Sequence, residues 1–247
     1  MTEIAHAEMR SAQEVIRDAR VIQAPNGVCY TTSGEVNVAQ ADLERMIAAV
    51  PHAIAAALDR KAFYFVPLTI SEGEKTLIAE QYDSSLTERA VCHRNIDSAD
   101  SQCVFISTRL LDDKFSIAFE FFINVGHAFV AKAGVSAEFA ELAWNQVSNN
   151  VRGETSLDAH EFRKQALAAG PSRIDEKAKS EYSSAAFSDA IAIYMLSLCL
   201  DVDYYELRER EYPLLAPSAL AERLKKVAEL FPPEPGFQFS IFYRRRP

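Results

Sequence analysis

The stretch FEFFINVGHAFVAKAG, residues 119–134, contains the side chains whose spacing comes nearest to a metal site. A helix that binds zinc through two histidines places them four residues apart, so that both imidazoles lie on one face. The residue after the first histidine is then a glutamate, which takes the proton from zinc-bound water. Here His127 holds the second position, but Ile123 and Asn124 hold the other two. Isoleucine has no donor atom and asparagine is no general base, so the sequence predicts no metal and no cofactor here.

Three elements would have to position His127. Apolar residues in 109–134 form a run that is too dense and too long for a strand, which predicts a buried helix ending at Gly134. Just upstream, CVFISTRLLDD is typical of a strand followed by a turn. Downstream, AFSDAIAIYM has the pattern of a second buried helix.

In this order the chain resembles the zincin metallopeptidases of the gluzincin branch, and most closely the catalytic domain of lethal-factor-type toxins. Residues 121–130, FFINVGHAFV, compare with the family pattern h-x-H-E-x-G-H-A, and residues 185–194, AAFSDAIAIY, with E-x-F-A-E-A-h. The likeness covers about residues 60–200. The matching residues are Val125, Gly126, His127 and Ala128 in the first pattern, and Phe187, Asp189 and Ala190 in the second.

The departures from the family fall on the catalytic positions. Ile123 stands at the first ligand, Asn124 at the general base, and Ala185 at the third ligand. The resemblance therefore implies a zincin-like fold without catalytic or metal-binding residues, a pseudopeptidase that binds a peptide or protein partner. On this interpretation Asn124, His127, Asp189 and His93 line the cleft.

Two alternatives stay open. An active metallopeptidase or hydrolase could use non-standard ligands around His127, for example Cys92, His93 and Asp189, although Cys92 and His93 are neighbours on a predicted strand and point to opposite faces. A nucleophilic cysteine, Cys92 or Cys103 beside His127, is not favoured, because cysteine and histidine residues are common enough to occur without such a role. The other alternative is a helical interaction domain whose likeness to zincins is accidental, and a mixed sheet in the first half would count against it.

The pattern along the chain predicts an α+β fold, with a small mixed sheet in the first half packed on a helix-rich second half. We expect a single zincin-like domain over 1–247, with a helical N-terminal lead (1–60), strands (61–108), helices (109–231) and a C-terminal strand or tail (232–247). The predicted strands are 27–32, 61–70, 88–95, 101–108 and, at an edge, 237–243. The predicted helices are 3–20, 41–60 with a kink at Pro51, 109–134, 136–150, 156–170, 175–202 and 216–231.

Composition narrows the classes of function. The net charge of −9 argues against general nucleic-acid binding, which needs a basic face. No run approaches the roughly 18 apolar residues that span a bilayer, so we expect no membrane partner. The four cysteines form no C-x-x-C pair, which favours free thiols in a reducing compartment. A soluble, cytoplasmic protein is predicted, and export by a route without a cleaved signal stays open.

Overall fold

The computed structural model describes residues 9–73, 75–98, 101–170, 173–207 and 212–242. The predicted α+β class is confirmed, with small sheets in the first half and helices in the second. The contacts between residues divide the chain into two compact units, Met1–Asn124 and Val125–Pro247. The single domain expected over 1–247 stays a prediction.

The first unit holds the strands. They are β1 (Met9–Ser11), β2 (Ile22–Gln23), β3 (Cys29–Thr32), β4 (Lys61–Val66), β5 (Leu68–Glu72), β6 (Lys75–Ala79), β7 (Ala90–Val91), β8 (His93–Asp97) and β9 (Gln102–Ser107). The helices are α1 (Ala12–Asp18), α2 (Gln40–Ala48), α3 (His52–Ala55), α4 (Thr108–Leu111), α5 (Lys114–Ala133), α6 (Ala137–Ser148), α7 (Leu157–Leu167), α8 (Glu176–Cys199) and α9 (Pro217–Leu230). Short 3₁₀ segments cover Ala56–Leu58, Ser84–Arg89 and Tyr204–Leu207.

A five-stranded sheet forms the centre of the first unit, in the order β2-β3-β4-β9-β8. Strands β3, β4 and β9 run parallel, while β2 and β8 are antiparallel to their neighbours and lie at the two edges. Central strands of such a sheet are covered on both faces, which explains why β4 is buried from Ala62 to Val66. On one face Phe63 and Phe65 contact Phe121 of α5. On the other face Tyr64 belongs to a buried cluster with residues of α1.

The predicted strand 61–70 is wrong as a single element, because the chain changes sheets at Pro67. Strand β4 ends at Val66, and β5 begins at Leu68 in a second, antiparallel sheet of order β1-β6-β5-β7. Proline has no backbone N–H to donate to a ladder, so it stands between strands rather than inside one. The predicted strand 88–95 is likewise two strands, since β7 belongs to the second sheet and β8 to the first.

The helical lead expected over 1–60 is wrong in its described part, because β1, β2 and β3 lie there. Helix α1 is only seven residues long and begins after Ser11, whose hydroxyl accepts from the Glu14 N–H while the Glu14 carboxylate accepts from the Ser11 N–H. Residues 3–8 of the predicted helix lie outside the described residues. The predicted break at Pro51 is confirmed, since α2 ends at Ala48 and α3 begins at His52.

The predicted helix 109–134 is interrupted near its start. Asp112 adopts a left-handed backbone with φ 55°, which separates α4 from α5. Asp113 then accepts from the Ser116 N–H at 2.9 Å and opens α5. The long helix α5 itself agrees with the prediction, and it contributes residues to both units.

The second unit is helical, as predicted. Side chains of Ser136, Ser156 and Asp175 accept from first-turn N–H groups and start α6, α7 and α8, while Pro217 opens α9. The predicted strand at 237–243 is wrong for residues 237–242, which form no strand, and Tyr243 lies outside the described residues. Helix α8 is long and apolar enough to cross a membrane by length and composition, but 89% of its apolar window is buried inside the protein, as in a core helix.

Two helices of the second unit approach each other closely at Gly126 of α5. A Cβ atom at this position would lie 2.6 Å from the carbonyl oxygen of Ser188 on α8. Because that atom belongs to the backbone, it cannot rotate away as a side chain would. One turn further along, Phe129 contacts Phe187 edge to face. Glycine at 126 thus lets α8 lie directly against the second half of α5.

Gly126→Ala is expected to destabilise the protein by about 1–3 kcal/mol, because the added methyl group overlaps the α8 backbone. Urea denaturation measures the change. The matched control is Ala131→Gly on the exposed side of the same helix. There glycine should be the weaker residue by up to about 1 kcal/mol, the ordinary helical preference. If alanine stabilised both positions, the close approach would not constrain the fold.

Candidate functional site

The residues predicted to line a cleft fall into both units. His93 and Asn124 belong to the first unit, whereas His127, Ala185 and Asp189 belong to the second.

In the first unit the structure brings His93 and Asn124 together through a third residue, Glu120. The His93 Nδ1 atom lies 2.5 Å from Glu120 Oε1, and Asn124 Nδ2 donates to the same oxygen at 3.1 Å. The Asn124 amide also donates to the Glu120 backbone carbonyl at 2.9 Å. The Glu120 side chain is mostly buried, at 17% exposure, while His93 stays accessible at 40%. Sequence reasoning missed Glu120, although its four-residue spacing from Asn124 on a helix could have indicated the contact.

This group orients an imidazole but does not complete a catalytic or metal site. A carboxylate bound to Nδ1 leaves the other ring nitrogen, Nε2, available for a second hydrogen bond. A zinc site needs about three protein donors. Among the described residues, no group of three or more His, Cys, Asp or Glu side chains lies close enough to hold a metal ion.

Cys92 does not supply a nucleophile to this histidine. The residue as a whole is exposed, yet partial burial around its sulfur raises the thiol pKa, and the nearby Glu120 carboxylate raises it further. Reactive cysteines have the opposite property, a lowered pKa that yields thiolate at neutral pH. The raised thiol pKa therefore argues against cysteine catalysis at this position.

Strand β8, which carries His93, has one side without a partner strand among the described residues. Its other side pairs with β9, where the Ser107 N–H donates to the Cys92 carbonyl at 2.9 Å and the Ser98 N–H to the Ser101 carbonyl at 2.8 Å. Because bonded pairs alternate along an antiparallel ladder, the intervening residues of β8 turn their N–H and C=O groups away from β9. These outward groups, from His93, Asn95 and Asp97, form what we call the free edge.

The two faces of β8 differ. Side chains alternate along a strand, so His93 lies toward α5 while Arg94 and Ile96 lie toward α1. Ile96 packs against the buried cluster that includes Ala12 and Val15 of α1. On the α1 side of β8 lies a groove of about 480 Å³, and we call this groove the basic groove. Its lining residues are Ser11, Gln13, Lys75, Thr76, Leu77, Arg94, Asn95 and Ile96.

In the second unit, His127 and Asp189 have opposite surroundings. His127 is exposed on α5, and Ala185 is buried at 7% exposure on α8. Asp189 is also 7% exposed, and its Oδ2 accepts from the Thr155 hydroxyl at 2.7 Å. Burial is the main cause that raises the Asp189 pKa, to about 6, against the opposing hydrogen bonds of Ser156 and Thr155. Sequence reasoning had no signal for Thr155, which lies in a loop 34 residues away.

That loop is held by a buried ion cluster. Glu154 and Arg223 are both 0% exposed, with Arg223 Nη1 donating to Glu154 Oε2 at 3.0 Å. Arg163 donates to the other carboxylate oxygen at 2.9 Å, and the Tyr182 hydroxyl donates to it at 3.2 Å. Removing one partner from such a pair costs about 3–5 kcal/mol, because a charge is left buried and uncompensated. The cluster is structural, and it holds Thr155 in place beside Asp189.

Comparison with known proteins adds no relative: no family model matches the chain, and neither a curated protein nor a solved structure matches it significantly.

The raised pKa of Asp189 predicts a pH-dependent cost to stability. A carboxyl whose folded pKa lies near 6 contributes most below its unfolded value of 3.8, and that contribution is lost as pH rises toward 6. Asp189→Asn keeps an acceptor for Thr155 but cannot ionise. The variant should match the parent near pH 4 and exceed its stability by up to about 3 kcal/mol above pH 6, the equivalent of the pKa shift.

Urea denaturation of both proteins between pH 4 and pH 8 measures this difference. Asp201→Asn is the control, since Asp201 is exposed just beyond the end of α8. A stability difference at position 189 that did not change with pH would contradict the assignment.

Proposed function

We propose that this protein is a catalytically inactive, zincin-like pseudopeptidase that binds an extended peptide or protein segment along the free edge of β8. The observation that carries the proposal is that a regular, exposed edge strand lies beside a helix whose metal-binding positions hold no suitable donors.

The binding half of the proposal is supported by the backbone. Three residues of β8 direct N–H and C=O groups outward, with no partner strand among the described residues, and β8 contains neither proline nor a bulge in its pairing with β9. Edge strands with such groups accept an added strand, which obtains its affinity from main-chain hydrogen bonds. His93 stands at the beginning of this edge, held by Glu120 at 2.5 Å and able to contact a bound segment through Nε2.

The non-catalytic half is supported by the chemistry of the side chains. Ile123 and Ala185 cannot coordinate a metal. Asn124 cannot accept a proton from water, and its amide donates to Glu120. The residues present thus do not fit a catalytic zinc.

We expect purified protein to contain far less than one zinc per chain by plasma mass spectrometry, because one histidine cannot assemble a site. It should also leave a generic peptide library uncleaved. His127→Ala is expected to change neither zinc content nor, for an exposed residue, stability by more than about 0.5 kcal/mol. The opposite result would be one tightly bound zinc per chain and chelator-sensitive cleavage of the library, both lost in His127→Ala. That result would establish the active metalloenzyme instead.

Strand addition is tested at Asn95, whose N–H points away from β9. Asn95→Pro removes this donor without removing a bond to β9, whereas the matched variant Asn95→Ala keeps it. Retention of a pool of random nonapeptides on the immobilised protein is measured by mass spectrometry. We expect Asn95→Pro to reduce retention to the background level and Asn95→Ala to preserve it. Equal retention by both variants would mean that peptides do not bind through this edge.

A further inference from the structure

We propose that the free edge selects segments with an acidic side chain, because two uncommitted cations, one on β8 and one on β6, line the basic groove on the α1 side of β8. This inference rests on the proposed function and specifies its ligand as an extended peptide with Asp or Glu beside Arg94.

The cations are Arg94 on β8 and Lys75 at the start of β6. Both are exposed and both line the basic groove, whose described lining residues include no acid. Within the described residues, neither side chain forms an ion pair or hydrogen bond. Several other cations of this unit are paired, as Arg10 is with Glu80 and Asp18.

Two described carboxylates near the groove are also committed. Glu14, next to the groove residue Ser11, accepts from both the Ser11 N–H and hydroxyl, at 2.8 and 2.7 Å. Glu72, opposite Lys75 in the β5–β6 hairpin, is bound by Arg89 at 2.5 Å. The positive charge of the groove is therefore left for a ligand, in a chain whose net charge is −9.

Geometry specifies which ligand residue meets Arg94. A strand added to the free edge alternates its side chains in step with β8, so the residue beside Arg94 also faces the basic groove. In an antiparallel arrangement this pair is not hydrogen-bonded through the backbone, and its side chains approach most closely. Oppositely charged side chains at such positions stabilise the pairing.

The ligand residues on either side of this acid lie in a different electrostatic environment. They lie on the α5 face, beside His93 and Asn95 and close to the Glu120 carboxylate. A second acid there would be repelled, so the preferred segment has one acid flanked by neutral or basic residues.

A second copy of this chain fits the edge less well. Pairing β8 with itself so that outward groups face each other places Asn95 opposite Asn95 and Arg94 opposite Ile96. The two Arg94 side chains then lie diagonal to each other on one face, within reach of like-charge repulsion. Two chains of charge −9 also repel each other.

The test compares three nonapeptide pools that are random except for a central Glu, Gln or Lys. We expect the immobilised protein to retain the Glu pool about two- to fivefold more than the Gln pool, the range for an opposite-charge pair, and the Lys pool least. The preference should shrink in 1 M NaCl, because salt screens exposed charges. Arg94→Glu should reverse the order of the Glu and Lys pools.

Arg20→Glu is the control, since it makes the same change in net charge at an exposed residue that does not line the groove. It should leave the order of the pools unchanged. If Arg94→Glu folds poorly in a thermal melt, Arg94→Gln with Lys75→Gln tests the same point by abolishing the preference.

The outcomes separate the two proposals. Equal retention of the three pools, still lost in Asn95→Pro, overturns the acid preference and leaves edge binding in place. Retention that is insensitive to Asn95→Pro overturns edge binding and the inference with it. A dimer in sedimentation velocity that Asn95→Pro dissolves would assign the edge to a second copy of the chain.

Discussion

The absence of a side chain at position 126 sets how closely two helices of the second unit can approach. With a Cβ there, the α8 carbonyl at Ser188 would be 2.6 Å away, and α8 would have to move outward. Helix α8 is buried around nearly its whole circumference, so a displacement would disturb every contact it makes, from Phe129 against Phe187 to the carboxyl of Asp189 in its pocket. Packing of this density transmits strain instead of absorbing it.

The packing at Gly126 also offers an explanation for part of the resemblance to the zincin helix. Four consecutive residues match the family helix, and three of them have a packing reason in this chain: Val125 and Ala128 are buried, and Gly126 touches a backbone. His127 is exposed on the same helix. A short match that packing explains carries little information about ancestry, since any pair of tightly crossed helices selects small residues. The order of the elements gives the stronger support: the antiparallel edge strand β8 is followed by the central strand β9 and then by the long helix α5.

The sequence predicted the features that depend on neighbouring residues and missed those that depend on residues far apart in the chain. Helices α6, α7 and α8 begin within one residue of Ser136, Ser156 and Asp175, because a cap acts on N–H groups two or three residues away. Strand assignments failed where partners are distant: residues 61–70 look continuous in pattern, but each half finds a different sheet. The contact of His93 with Glu120 gave no signal in the sequence for the same reason, since it joins residues 27 apart.

In the proposed pseudopeptidase, the chemistry of the former metal positions and the binding edge would be physically independent. The backbone groups that hold β8 are bonded to β9, and His93 contacts Glu120 of α5. These bonds involve neither Ile123 nor Ala185, so apolar groups at those positions would leave the edge intact. An apolar side chain on a helix avoids the cost of burying an unpaired ligand, which is several kcal/mol for a charged group. A chain can in this way lose hydrolysis and keep the surface that recognises an extended segment, with specificity then decided by the charges on the two faces of β8.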